Sequence, residues 1–332
     1  MHAKTAADME RNLTFEMGPA TRDAFGKALA ELGHEDPHLV VVDADVSNST
    51  RTEYFGKQFP DRFFQVGIAE SNLVGIASGL ASSGMHPWIA SFACFVMCNA
   101  FDQLRMSVAF PGLPVKVAGS HSGISIGEDG PSQMGIEDVA LAAALPGFAV
   151  VVPADGPAAR AATRALHAWD GPAYLRLGRP KVPVVYRDES LLDDFNIGRA
   201  IQLRDGKDVT LVANGILVAS ALRAAETLAG RGVNARVLDC HTVKPIDEES
   251  LERAARETGA VVVCEEHISS GGLGAAVAYA VGHRHPVPIE YVNLGDSYAE
   301  SGSPEALFEK YGLTTDHLTA ATEKALKRKS QR

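Results

Sequence analysis

The sequence predicts an α/β protein of two domains, each a mostly parallel sheet flanked by helices, and three observations carry that expectation. The chain has 332 residues, 46% hydrophobic and 22% charged, enough for two cores under an ordinary polar surface. Short apolar runs rich in β-branched residues alternate with segments of helical periodicity, as expected of parallel strands covered on both faces. The alternation breaks once, at KVPVVYRDESLLDDFNIG (181–198), where a proline and several carboxylates follow no clear period. The expected division is an N-terminal extension 1–13, a first domain 14–184, a linker 185–197 and a second domain 198–332.

In the first domain PHLVVVDAD (37–45), HPWIASF (86–92), PVKVAGS (114–120), FAVVVPAD (148–155) and PAYLRLG (172–178) read as strands. Between them helices are expected within VGIAESNLVGIASGLASSG (66–84), at about Val96–Ala109, around Gly135–Ala144 and around Pro157–Ala168. The second series runs DVTLVA (208–213), a helix to about Arg231, ARVLD (235–239), a helix, AVVVCEE (260–266), a helix after GGLG (271–274), PIEYVNL (288–294) and a helical tail. No internal repeat stands out. In open parallel sheets ligands bind beyond the carboxyl ends of strands, and polar groups gather there: Asp43 and Asp45, His121, Arg179.

A formal charge of −10 argues against nucleic-acid or anionic-membrane partners, and no apolar run is long enough to span a bilayer. The basic end KALKRKSQR (324–332) reads as a solvated tail. The first residues lack the apolar core of a signal peptide, and Cys94, Cys98, Cys240 and Cys264 form no CxxC pair, so reduced thiols in a cytoplasmic protein are the expectation. A cysteine metal site is not expected, because Cys94 and Cys98 have no His or further Cys near them in sequence. GGLGAAV lacks the full GxGxxG spacing, so close packing of strand on helix explains it better than a nucleotide does.

Two stretches carry chemistry. Glu70 stands at the entrance of an apolar, small-residue helix, among Val66, Ile68 and Leu73. A first-turn carboxylate meeting the helix dipole is the plain explanation; a carboxyl set in an apolar pocket to exchange a proton with a ligand is the sharper one. GSHSGISIGEDGPSQMGIED (119–138) follows a strand and packs Gly, Ser, His, Glu and Asp into one long loop, a composition more often functional than connecting.

At these residues the chain resembles the transketolases, thiamine-diphosphate enzymes. GEDGPSQ, VGIAESN and SFACFVMCNAFDQLR resemble the pyrimidine-binding domain, with LGRP (177–180) at its end. HTVKPID, CEEHISSGGLG and DSYAESGSPEALFEKYGL resemble the transketolase C-terminal domain. The resemblance implies that Glu70 bonds N1′ of the cofactor's aminopyrimidine and favours the imino tautomer that removes the thiazolium C2 proton. It implies stacking of Phe95 on the aminopyrimidine with Phe92 nearby, and Asp45 close to the cofactor. His121 and Asp129 are then expected to meet the sugar, and Arg22, Arg179 and Ser49 its phosphate, for which the guanidinium fork is well suited. Gln133 stands where the bacterial and yeast type has histidine and where animal-type members also have glutamine.

The family holds the diphosphate through Mg²⁺ with a GDG…N motif, which is absent here. The resemblance therefore implies the second half of a split transketolase, in an α2β2 complex with a subunit that carries the diphosphate domain and most Mg²⁺ ligands. The expected reaction moves a two-carbon ketol unit between ketose and aldose phosphates. Alternatives are an E1 β-like subunit of a 2-oxo acid dehydrogenase, a deoxyxylulose-phosphate synthase-like fragment, or a non-catalytic regulatory subunit.

Overall fold

The computed structural model describes residues 14–193 and 195–331. The extension expected at 1–13 lies outside the described residues.

Two sheets organise the chain. The first has seven strands in the order β12-β6-β7-β5-β4-β2-β3. They are β2 (Leu39–Asp43), β3 (Phe63–Gln65), β4 (His86–Phe92), β5 (Lys116–Ser120), β6 (Ala149–Val151), β7 (Ala173–Arg176) and β12 (Thr242–Lys244). All pair in parallel except β12 with β6. The second sheet runs β14-β13-β10-β11-β9, with β9 (Ile201–Arg204), β10 (Val209–Ala213), β11 (Ala235–Asp239), β13 (Val261–Cys264) and β14 (Ile289–Val292). Here only β9 is antiparallel. A small ribbon pairs β1 (Met17–Ala20) with β8 (Lys181–Pro183).

Central strands such as LVVVD and VTLVA are buried at every residue, as strands covered on both faces must be. One face of the first sheet packs Trp88 with Phe25 and Leu29 of helix Thr21–Glu35 and Ala159 and Ala162 of helix Gly156–His167. The other face packs Leu73, Val74, Val96 and Met97 in a cluster that continues into Val212, Val263, Leu273 and Val277 of the second unit. A further cluster joins Ile124, Ile126, Met134 and Ile136 to Leu211, Val237 and Val262. The apolar side of the 119–138 loop is thus part of the second unit's core.

Several expectations change. HTVKPID falls within the expected second domain, yet its Thr242–Lys244 crosses over and adds an edge strand to the first sheet. The break at 181–198 begins with strand β8, since Lys181–Pro183 can pair with Met17–Ala20 only from an edge where proline is tolerated. The helix expected at about Val96–Ala109 begins earlier, at Ala93, and breaks after Asn99; a π-helical stretch covers Leu104–Ala109. The basic terminus is docked. Helix Thr315–Ser330 brings Lys324 and Arg328 onto Glu290, each at 2.6 Å, while Lys329 Nζ donates to the carbonyls of Asp208 and Thr258.

GGLG packs closely against the end of β13. The N-terminus of helix Leu273–Arg284 is filled by the chain's own Glu265, whose carboxylate accepts from the N–H groups of Leu273 (2.6 Å) and Gly274 (2.7 Å). A Cβ on Gly272 would lie 2.2 Å from that carboxylate, so no larger residue fits there. Among the described residues no helix is long and apolar enough to cross a membrane.

Candidate active site

The site forms at the carboxyl ends of β2, β4 and β5. Glu70 is the first residue of helix Glu70–Ser82 and is only 5% exposed. Its side chain does not cap the helix; Ser91 Oγ of β4 donates to its Oε1 at 3.0 Å. Glu70 is thus buried beneath a strand end with one hydroxyl as partner, unlike a surface carboxylate that serves the helix dipole alone.

One residue beyond Ser91, Phe92 ends β4 and starts helix Ala93–Asn99, which carries Phe95. The two rings are parallel, with centroids 5.5 Å apart and 3° between planes. Phe92 also stacks on His121, at 3.9 Å and 12°. Three nearly parallel rings, from two strand ends and the helix after β4, therefore stand beside the strand residue that holds the buried carboxyl, a setting that fits a flat heteroaromatic group with a basic nitrogen.

His121 is the hinge between this apolar part and a cationic part. Arg22 Nη1 approaches its Nε2 at 2.9 Å, and Ser120 Oγ lies 2.8 Å from its Nδ1. A guanidinium only donates, so Nε2 accepts, and the ring's proton is on Nδ1 and points to Ser120. Burial, and then the positive charge of Arg22, Arg179 and Arg51, pushes the His121 pKa down to about 3. The imidazole is neutral throughout the physiological range.

Arg22 also donates to the Ser49 carbonyl at 2.8 Å, and its buried Nε has no partner. Burial and the neighbouring Arg51 lower its pKa. Packing like charges together while leaving a donor unspent is the arrangement expected of an anion site. Arg51 is held by Asp23 at 2.6 Å. Arg179 donates to the Ile126 carbonyl at 2.7 Å and lies 3.5 Å from Asp129.

The backbone is strained at the same place. Asp45 (φ 64°), Arg51 (φ 70°) and His121 (φ 57°) are the non-glycine residues in the left-handed region among those described. Buried Asp43 fixes the first two by accepting from Val46 N–H, Thr50 Oγ1 and Thr52 Oγ1 at 2.7–2.8 Å. Burial raises its pKa against these bonds.

The structure thus links Glu70 (through Ser91), Phe92, Phe95, His121 and Arg22, and pairs Arg179 with Asp129, Arg179 being near enough to act on the His121 charge. Ser49 joins through its carbonyl. Gln133 is reached through Cys94 Sγ, 3.2 Å from its carbonyl, while its side chain accepts from Ser132 Oγ at 2.6 Å. Asp45 is exposed, tied by its backbone N–H to Gln65 at 2.9 Å. Sequence reasoning passed over Ser91, Ser120 and Arg51. Only Arg51, two residues after Ser49, carried a signal, as a further arginine in a loop already expected to bind phosphate.

The sequence profile of the transketolase pyrimidine binding domain matches residues 17–184, and that of the transketolase C-terminal domain matches 198–318. A Clostridium sp. (strain MSTE9) protein, the 6-deoxy-6-sulfo-D-fructose transketolase subunit SqwH, is 43% identical over 312 residues, covering 94% of this chain and 96% of that one. This chain belongs to the transketolase family. Human transketolase is 38% identical over 306 residues, which span 91% of this chain but 48% of the human one, so the chain corresponds to one half of an undivided transketolase. A solved split gene transketolase, described as an inactive β4 tetramer, superposes with a TM-score of 0.88 at 48% identity over 94% of this chain and 100% of that one. Transketolases are transferases, and the chain is a subunit of the split kind.

Proposed function

We propose that this subunit supplies the pyrimidine side of a thiamine-diphosphate site and completes it with a partner subunit that carries the diphosphate domain and its Mg²⁺ ligands, in an α2β2 cytoplasmic enzyme. The observation that carries this reading is the buried Glu70 carboxyl beside the parallel Phe92 and Phe95 rings, adjoining the His121–arginine cluster. When bound, the cofactor would supply the electron sink for moving a two-carbon ketol unit between sugar phosphates. Glu70 would hold a proton toward the pyrimidine nitrogen, Phe95 and Phe92 would fix the ring by area and flat shape, and Asp45 would stand near it. Neutral His121 would accept from or donate to the sugar, Asp129 would bind a hydroxyl near the reacting carbon, and Arg22, Arg179 and Ser49 would hold the far anion. Gln133 would border the sugar from the edge of the helix bearing Phe95.

The missing GDG…N motif and the inactive β4 assembly of the solved relative both support dependence on a partner. The test is Glu70→Gln in the complete complex. A loss of ketol transfer of about 100-fold or more is expected for removing a positioned acid–base group. Unchanged turnover would refute the role of Glu70.

A sulfonate is a second reading for the far anion, favoured by the name of the Clostridium relative. Arginines recognise either oxyanion. Turnover of one ketose bearing terminal phosphate, compared with the same ketose bearing terminal sulfonate, decides between them.

A further inference from the structure

At the amino end of the first sheet, remote from the proposed active site, three metal-ligating side chains converge from three different elements. Asp36 follows helix Thr21–Glu35, His86 opens β4, and His167 ends helix Gly156–His167. His86 Nδ1 lies 2.6 Å and His167 Nε2 3.1 Å from the same oxygen, Asp36 Oδ2, and all three ligand atoms lie within 4.8 Å of one another. His38, exposed, stands one step further out, 3.7 Å from Asp36 Oδ1. His86 and His167 border a surface cleft of about 620 Å³ that Trp88, Lys116 and Trp169 also line.

We propose that Asp36, His86 and His167 form a binding site for Zn²⁺ or a neighbouring divalent transition ion, which would clamp the two helix ends to the first residue of β4. Two imidazoles and one carboxylate suit a borderline ion rather than Mg²⁺ or Ca²⁺, which take oxygen sets. Bonds of about 2.0–2.1 Å in tetrahedral array separate ligand atoms by about 3.3 Å. The His167–Asp36 spacing is already close to that. The His86–Asp36 spacing must open by ~0.7 Å, which half-exposed His86 permits.

Binding has a built-in optical signal. Trp88 Nε1–H points to His167 Nδ1 at 3.4 Å, which leaves that ring's proton on Nε2, facing Asp36. An ion on Nε2 moves the proton to Nδ1, where it opposes the indole N–H, so the Trp88 contact must open. The chain contains two tryptophans, and both line this cleft, so all its tryptophan fluorescence reports from here.

Untagged full-length chain, stripped with a chelator, is titrated with Zn²⁺ by calorimetry and with Cu²⁺ by fluorescence quenching. One equivalent of Zn²⁺ is expected to bind and raise the melting temperature, and Cu²⁺ to quench at matching stoichiometry. His86→Gln retains a hydrogen-bond donor toward Asp36 but supplies no imidazole nitrogen, and should weaken binding at least tenfold while melting like the metal-free parent. His167→Gln should do the same, with the fold of both variants verified by circular dichroism. Equal binding and quenching in parent and His86→Gln, or no stoichiometric binding to the parent, would overturn the site and leave the three side chains as a hydrogen-bonded cluster. Because β4 places this cluster about 20 Å from Phe92, at ~3.3 Å per residue, ketol transfer by the complex should be unaffected by either variant.

Discussion

His121 shows how much one residue can be made to carry. Its left-handed backbone is costly, and its buried stack on Phe92 and its bond from Arg22 hold it in place. Because its folded pKa is about 3, below the ordinary 6.5, the unfolded chain takes up the proton first as pH falls. Stability from this group is therefore complete above about pH 6.5 and lost as pH drops toward 3. Proton–nitrogen NMR of the imidazole should show the neutral Nδ1–H tautomer unchanged from pH 8 to pH 5, order-of-magnitude limits set by ordinary histidine titration; an imidazolium signal appearing near pH 6.5 would contradict the Arg22 contact. The residues themselves were legible in the sequence wherever a motif surrounded them. Ser91 and Ser120 were not, because a serine in a strand carries no sign of what lies across the sheet.

At the level of elements, the loop 119–138 is held by β7 of its own unit and by Glu266 of the other. Arg176 of β7 donates to both oxygens of Asp138, at 3.1 and 2.9 Å, and to the carbonyls of Gly135 and Glu266. Tyr174 donates to Asp138 at 2.6 Å, and Glu266 accepts from Ser125 N–H at 2.5 Å. Gly123 has φ 72°, and a Cβ there would lie 2.2 Å from Glu266, so both its conformation and its clearance require glycine. Burial raises the Glu266 pKa to about 7 even with Arg176 near it. Asp138→Asn leaves a buried guanidinium without its counter-charge and should cost about 3–5 kcal/mol by urea denaturation. A cost below 1 kcal/mol, the order of an exposed pair, would mean that Arg176 finds another partner. The alternating pattern revealed β2, β4, β5, β7, β10, β11 and β13 because each is a mostly buried run, and with them β6 and β14. It hid β3, β9 and β12, which are short or lie at sheet edges, where partner and direction are decided by tertiary contact.

Over the whole molecule the two units share cores, not merely a surface. One apolar cluster runs from Leu73 to Val277, another from Ile126 to Val262, and β12 belongs to the sheet opposite its neighbours in sequence. Such coupling predicts a single unfolding transition. Both tryptophans, Trp88 and Trp169, report on the first unit, whereas far-ultraviolet circular dichroism reports on both. The two urea curves should coincide; separated midpoints would show that the units unfold independently. The division into two units was readable from the broken rhythm at 181–198, but the interlock was not, since shared packing leaves no periodicity of its own.

The same scale holds the most direct test of a site completed by a second subunit. The chain is purified gently from its own cells, the protein bound to it in equal amount is identified by mass spectrometry, and ketol transfer is measured for each alone and for the mixture, with thiamine diphosphate and Mg²⁺. Activity is expected only in the mixture, saturating at equimolar subunits, with GDG…N in the partner. Turnover by this chain alone, or tight cofactor binding without a partner, would contradict a divided active site.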